Sequence, residues 1–516
     1  MRAFLLHSGE PAMEPLLSLL LFPHGTSVPE SREKNCTIIH WGAYHPDRGH
    51  AEVLQPIRSI LLAQHRERAA EVLRLHGLEC ELENEVASVS VGVGAALSAE
   101  VSVRRKQSGE PPVPERGAYV SGAGREMDRR WAQEYVVPVF HLQALTLFHR
   151  AANGVFYGRR SPSGVRVPGD LTEGFEEVGT DDPNYYAGRA IREAIKAIYA
   201  LGLDYGVVRI GIRAGGSVIV RSVEPVPQLT ERLAELFAEA MNRLDDTVSS
   251  ERDSAGGPVM LGADPEFLLL TSQGKVKFAS NYAEKEGPFG CDAIVLESRR
   301  KIYPLAELRP KPSTDVRELV VNLHRTMQIA AKQIGDPELR WVAGGMPVRG
   351  FPLGGHIHFS GVELNSRLLR VFDNYLALPL TLLEDESTGL RKPRYGFLGD
   401  FRRQRHGGFE YRVLPSWMVS PTVAKGVLAL AKLAAEHYRQ LNLRPLADVE
   451  VARAYYQGDK LRIRPLMLQL WRDVERLPGF AQQEAYLLPL RRLMLQMQTW
   501  KELEDIRPKW KIPPFS

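Results

Sequence analysis

The chain has 516 residues, enough for two to four domains at roughly 100–200 residues each. Its 66 basic and 62 acidic residues leave a net charge of +4 spread along the chain, with no long Lys/Arg block and no basic–aromatic ladder, which argues against nucleic acid as the main partner. The three cysteines, Cys36, Cys80 and Cys291, have no CxxC spacing, and no apolar run approaches the ~18 residues of a membrane helix; a reducing cytoplasm is the expected compartment.

In chain order, residues 16–22 are apolar and read as a buried strand or helix turn, and TIIHW at 37–41 reads as a strand. Residues 53–76 form an amphipathic helical stretch ended by Gly77. Residues 134–148 read as strands, 187–201 as a helix stopped by Gly202, and 206–229 as two strands around the turn Ala214-Gly215-Gly216. The polar stretch DDTVSSERDSAGGP, 245–258, has no hydrophobic period and divides the chain. The expected domains are 1–245, a linker 246–258, a second domain 259–421 and a helical C-terminal extension 422–516. The second half opens with strand LGADPEFLLL, a turn at Ser272-Gln273-Gly274 and strand KVKFAS. A helix 315–334 follows, with Asp315 and Glu318 placed as in a capping box. Strand GGHIHFSG then leads to Asn365, a good N-cap, and a helix to about residue 386.

Four segments of this half carry charged or imidazole side chains two residues apart: Asp264-Pro265-Glu266, Glu307-Leu308-Arg309, His356-Ile357-His358 and Glu410-Tyr411-Arg412. In a strand such pairs share one face. Taken singly, each pair has an ordinary reading: edge charges, a zinc site or satisfied core histidines, cross-strand ion pairs. Four together predict a sheet with one charged face and helices on the other. Oxygen-rich ligands with one or two imidazoles suit Mg²⁺ or Mn²⁺, and neighbouring arginines suit a phosphate or carboxylate. Metal, phosphate and carboxylate together point to phosphoryl transfer.

The order and wording of these motifs resemble the glutamine-synthetase superfamily of carboxylate–amine ligases, in its phage-type and bacterial amidoligase branch, over about residues 260–420. Asp264-x-Glu266 stands where that family has Glu-x-Glu, GGHIHFS matches its His-x-His strand, ELRPKP its intermediate ligand strand, and FEYRVLPSW its late Glu-x-Arg strand. The resemblance implies an α+β fold, an antiparallel half-barrel with helices outside, and an ATP-dependent ligase acting through an acyl phosphate. It implies that Glu266 and Glu307 hold one Mg²⁺ or Mn²⁺, that Asp264, His356 and Glu410 hold another, and that His358 lies near the ATP phosphates. Arg402 and Arg412 would stabilise the transferring phosphoryl group, with Arg309 a further catalytic candidate, and Asp292 in FGCDA reads equally as an amine contact or a turn Asp. Small-molecule or peptide acids and amines are the expected substrates, and a homo-oligomer is possible. A metal-dependent hydrolase and a non-catalytic assembly protein are the alternatives.

The N-terminal half resembles the closing strands of ATP-grasp domains in YGVVRIGIRAGGSVIVRSVEPVPQL, with Pro227 in register. Arg209 lies near the usual acidic place, Ser222 stands for the Glu and Glu224 for the Asn, while Val136 of EYVVPVF replaces a basic residue. Without its carboxylate pair, this domain is expected to be degenerate and to present substrate or serve structure. VSGAGRE, with Gly122 and Gly124, is a candidate phosphate loop.

Overall fold

The computed structural model describes residues 3–28, 36–42, 52–83, 131–151, 170–253, 258–295, 300–405 and 407–515. The chain divides into two compact units, 1–74 with 78–255, and 75–77 with 256–516. Gly122 and Gly124 lie outside the described residues.

Among the described residues the first unit holds two sheets. Strands β1 (Phe4–His7), β2 (His24–Gly25), β3 (Thr37–Trp41) and β4 (Glu52–Leu54) form a parallel sheet in the order β2-β1-β3-β4. Strands β5 (Gln133–Phe140), β6 (Gln143–Ala144), β7 (Phe148–Ala151), β8 (Glu176–Glu177), β9 (Tyr205–Ile212) and β10 (Val218–Glu224) form an antiparallel one in the order β10-β9-β5-β7-β8, with β6 on β5. Gly216, at φ +83°, makes the β9–β10 turn that a residue with a Cβ adopts only under strain. The helix Tyr185–Ala200, capped by the Asn184 side chain, buries Ala187, Ala190, Ala194 and Ala197, small enough for close approach to the sheet. The expected helix over 53–76 is instead β4 followed by two helices, Ile57–Gln64 and Arg66–Leu75.

The linker expected at 246–258 is corrected by the helix Glu231–Asp253, which runs through most of it. Met241 and Val248 are buried and Leu244 packs on the core, so the helical period continues beneath the polar composition. Asp245 is itself buried and accepts a hydrogen bond from the Ala3 backbone N–H at 2.6 Å.

The second unit is built on one eight-stranded sheet: β11 (Met260–Leu270), β12 (Val276–Lys277), β13 (Phe289–Val295), β14 (Lys301–Leu308), β15 (Arg340–Val342), β16 (Gly355–Ser360), β17 (Phe401–Arg403) and β18 (Phe409–Tyr411). The main order is β13-β14-β11-β16-β18-β17, all antiparallel, curled as a half-barrel. Leu261, Ala263, Phe267 and Leu269 of β11 are buried, and the helix Val316–Ile334 packs against β11, β13 and β14. That helix starts where expected, with the Asp315 carboxylate accepting from the Glu318 N–H at 2.7 Å, and ends at Gly335 with φ +62°. The helix after Asn365 is not continuous. It runs Ser366–Phe372, widens into a π turn at Asp373–Ala377, and resumes at Leu378–Leu380 around Pro379, which has no N–H to give.

Residues 422–516, expected as an extension, are part of this same unit. The helix Pro421–His437 is buried along most of its length. Near the C-terminus, the Ile506 N–H donates to the Trp341 carbonyl at 2.9 Å and the Trp510 indole to the Met418 carbonyl at 2.7 Å. The Glu502 carboxylate is buried and accepts from the Met346 N–H at 2.8 Å, from Ser387 Oγ at 2.8 Å, from Thr388 Oγ1 at 2.7 Å and from the Gly345 N–H.

Candidate active site

Strand register gathers the four motifs. Glu266 on β11 stands opposite Glu307 on β14, and Asp264 opposite His356 on β16. His358 stands opposite Gly262 on one side and Glu410 of β18 on the other; Glu410 stands opposite Arg402 of β17. Residues directly opposite in an antiparallel pair share a face, so all these side chains lie on one side of the sheet. Arg309 and Arg412, two residues beyond Glu307 and Glu410, follow them.

Two groups of ligand-type atoms result. In the first, one atom each of Asp264, His358 and Glu410 lie within 4.8 Å of one another. His356 joins them: its Nδ1 is 3.1 Å from Glu410 Oε1 and 3.4 Å from Asp264 Oδ1, while His358 Nε2 is 3.1 Å from Asp264 Oδ2. Yet Asp264 Oδ1, His356 Nδ1 and His358 Nε2 are buried without a hydrogen bond among the described residues. Buried polar atoms are rarely left so. A carboxylate and two imidazoles gathered on one face with such atoms facing one another make a donor set that a divalent cation accepts, so the residues present fit the metal. The second group is Glu266, Asp292 and Glu307, again within 4.8 Å.

Burial and charge act strongly here. Burial pushes the Glu266 carboxyl up to about 7, against the opposing pull of His356, with Asp292 and Asp264 adding repulsion and the Gly354 N–H favouring the charged form. That N–H donates to Glu266 Oε2 at 2.6 Å. Burial would also raise Asp264, but His356 and His358 hold it well below the ordinary carboxylate range. Burial would lower the His356 imidazole; Asp264 outweighs it and the net shift is upward. Glu410 is ringed by donors: Arg412, Arg402 at 3.4 Å and Gln404 Nε2 at 3.1 Å. Arg412 feels burial first, which lowers its pKa, but Glu410 and Asp400 raise it overall. Arg309 pairs with Glu307.

Glycines make the space. A Cβ at Gly354 would run into the His356 ring, one at Gly355 into the Pro415 carbonyl and Trp417, and one at Gly290, opposite Glu307, into the Arg309 guanidinium. The Gly354-Gly355 pair is therefore part of how the His-x-His strand reaches its place.

The structure brings Asp264, Glu266, Glu307, His356, His358, Glu410, Arg402, Arg412 and Arg309 onto one face. His358, expected near the ATP phosphates, stands inside the first ligand group, and Asp292, a candidate for amine contact or a turn Asp, stands in the second. Sequence reading missed this because Asp292 follows no i, i+2 pattern with another charge; it pairs with Leu305 just before a register shift at Ile294. Gln404 was also not foreseen, though it lies two residues from Arg402 on the same face.

In the first unit Arg209 and Ser222, expected to stand at the places of ATP-grasp acids, are register partners on β9 and β10, both buried. Around them, buried Glu134 pairs with Arg150 and Arg221, and Arg221 also pairs with Glu83.

Residues 261–512 match the family described as phage phiEco32-like COOH.NH2 ligase-type 2. The match covers most of the C-terminal unit and supports a ligase that joins a carboxylate to an amine. No curated protein matches the chain by sequence. Among solved structures, the macrocyclase MdnC from Microcystis aeruginosa MRC, bound with precursor peptide MdnA, is 11% identical over 47% of this chain and 99% of that one, with a TM-score of 0.25. A bifunctional glutathione synthetase from Pasteurella multocida is 12% identical over 49% and 48%, TM-score 0.30. The ligase PafA, in complex with the prokaryotic ubiquitin-like protein Pup, is 12% identical over 47% and 64%, TM-score 0.32. Likenesses this partial carry no argument. Among the described residues no helix is long and apolar enough to cross a membrane.

Proposed function

We propose that the charged face of the second unit binds ATP with Mg²⁺ or Mn²⁺ and activates a substrate carboxylate as an acyl phosphate. A carboxylate oxygen attacks the γ-phosphorus and ADP departs with the bonding pair. The amine nitrogen then attacks the acyl carbon, phosphate leaves, and the nitrogen loses a proton to give the amide or isopeptide. Arg412 and Arg402 face the charge that develops on the transferring phosphoryl oxygens, held there by Glu410. Glu266, Asp292 and Glu307 would hold one cation, and Asp264, His356, His358 and Glu410 a second; such ions would neutralise phosphate charge. The chain's own task is to orient these groups before substrate arrives.

The observation that carries this reading is the set of buried, unbonded Asp264, His356 and His358 atoms facing one another. Calorimetry of the full chain with ATP, with and without Mg²⁺, tests it: metal-dependent binding supports it, and absent or metal-independent binding counts against it.

MdnC is seen with a precursor peptide and PafA with Pup. Here the acid and the amine are taken to be small-molecule or peptide carboxylates and amines. The first unit is read as a degenerate ATP-grasp-like domain that presents substrate or serves structure, because Arg209 and Ser222 stand where metal-holding acids would be. The working compartment is taken to be the cytoplasm.

A further inference from the structure

Behind the charged face, one helical segment braces the strands that carry it. Tyr411 of β18 is fully buried, and strand alternation turns its ring away from Glu410 and Arg412, the residues on either side of it. Its hydroxyl donates to Asp373 Oδ1 at 2.7 Å. Asp373, also buried, opens the π turn Asp373–Ala377. The preceding residue, Phe372, lies against the Tyr411 ring with centroids 5.2 Å apart and against Phe359 at 4.6 Å. Phe359 follows His358 on β16. The segment thus touches the rear of β16 and β18, which carry three of the side chains in the first ligand group.

The π turn holds three buried polar side chains in a row. Besides Asp373, Asn374 accepts the Leu446 N–H at 2.9 Å and donates to the Arg370 carbonyl at 2.7 Å. The Tyr375 hydroxyl donates to Asp473 Oδ2 at 2.8 Å and accepts from the Leu443 N–H at 3.0 Å. Consecutive positions in a helix are turned by about 100°, so three in a row reach partners on different sides. A π turn is rare and occurs frequently at functional sites. Burying a carboxylate is costly, and an apolar pair of the same shape would fill the space without that cost. What the Tyr411–Asp373 bond adds over apolar packing is direction, because a hydrogen bond weakens steeply when its angle departs from linear.

We infer that Asp373 is a positioning residue for the charged face: through Tyr411 it sets the roll of β18 about its own axis, and with it where Glu410 and Arg412 point. The inference rests on the ligase reading, in which Glu410 holds a cation and Arg412 meets the phosphoryl group. When a strand rolls, side chains at neighbouring positions swing to opposite sides together. β18 and its outer neighbour β17 are each three residues long, so few ladder bonds oppose such a roll. The bond to Asp373 opposes it from the rear.

The test is calorimetry of the full chain with Mn²⁺, in which Glu410→Gln marks the binding step that belongs to the first ligand group. Tyr411→Phe removes one buried hydroxyl and keeps the ring. Tyr375→Phe does the same within the π turn, where the hydroxyl meets Asp473 and not Asp373. Both variants should melt alike. Tyr411→Phe is expected to weaken the marked step about tenfold, the lower end of the ~10–100-fold that orienting partners of metal ligands contribute, with Tyr375→Phe within about twofold of the parent. Asp373→Asn keeps an acceptor for the hydroxyl and should stay near the parent. Asp373→Ala should match Tyr411→Phe, and the double variant with Tyr411→Phe should be no weaker than either single one, as expected of two residues acting as one pair. Parental affinity in Tyr411→Phe, or an equal loss in Tyr375→Phe, overturns the positioning role and leaves the ligase reading standing. Absence of Mn²⁺ binding in the parent, or binding unchanged in Glu410→Gln, overturns the metal reading and the positioning role with it.

Discussion

Asp264 and His358 meet diagonally across β11 and β16, Oδ2 to Nε2 at 3.1 Å, because the register partner of His358 is Gly262, which has no side chain to stand between them. His356 approaches the same carboxylate from its own register position, directly opposite. One aspartate thus faces two imidazoles. The first expected outcome is that Mg²⁺ or Mn²⁺ raises the melting temperature, by an amount equivalent to about 2.7 kcal/mol at a hundredfold excess over Kd. Asp264→Asn should lose most of that shift, since an amide keeps the shape and one lone-pair oxygen but not the charge. Thermal melts with and without chelator measure it.

The second concerns pH. The Glu266 carboxyl sits at about 7 when folded, above its ordinary 4.5. In the metal-free protein the folded state therefore keeps a proton that the unfolded chain gives up. The stability from this group is complete below about 4.5 and is lost as pH rises to about 7. Cation binding needs the charged form, so Mg²⁺ affinity should climb between about pH 6 and 8 with proton release. Glu266→Gln should flatten the stability change over that window. Denaturant melts across pH, with calorimetry in two buffers of different ionisation enthalpy, read both effects.

Arg412→Lys keeps the charge beside Glu410 but loses the planar two-pronged grip. The variant should melt like the parent, keep most ATP affinity and lose turnover by ~10²–10³, as expected for one charge-stabilising donor. Phosphate release with the acid and amine substrates, alongside a melting curve, decides it; parental turnover or a much lower melt makes Arg412 peripheral or structural.

Glu502 lies far along the chain, yet its carboxylate fills a cradle of backbone N–H groups and two hydroxyls. Glu502→Ala leaves those donors buried and unsatisfied, and should cost about 2–4 kcal/mol in urea unfolding. A loss below about 0.5 kcal/mol would show that the C-terminal stretch is only appended.

In the first unit, Arg209→Ala in the full chain should leave ATP turnover unchanged, while Glu410→Ala abolishes it. A phosphate-release assay that finds turnover lost in the Arg209 variant, at unchanged stability, would return a nucleotide role to that unit.

The sequence by itself determined the pairs and the kind of chemistry. The i, i+2 spacing of Asp264–Glu266, Glu307–Arg309, His356–His358 and Glu410–Arg412 is a local property of extended chain, and so it was readable before any fold was known. The caps at Asp315 and Asn365 were readable for the same reason: a side chain reaching its own backbone needs no tertiary context. Only the tertiary structure decided which pairs share a site. Strand order put Glu307 beside Glu266 and Glu410 beside His358, and the regular pairing of β13 on β14 put Asp292 on the face of Glu307; neither is encoded within one strand. Composition also misled at 245–253, where polar residues cover a helix whose buried side chains, Met241 and Val248, hold the period. A solvated helix face and a linker share a composition, and what separates them is the core on the helix's other side.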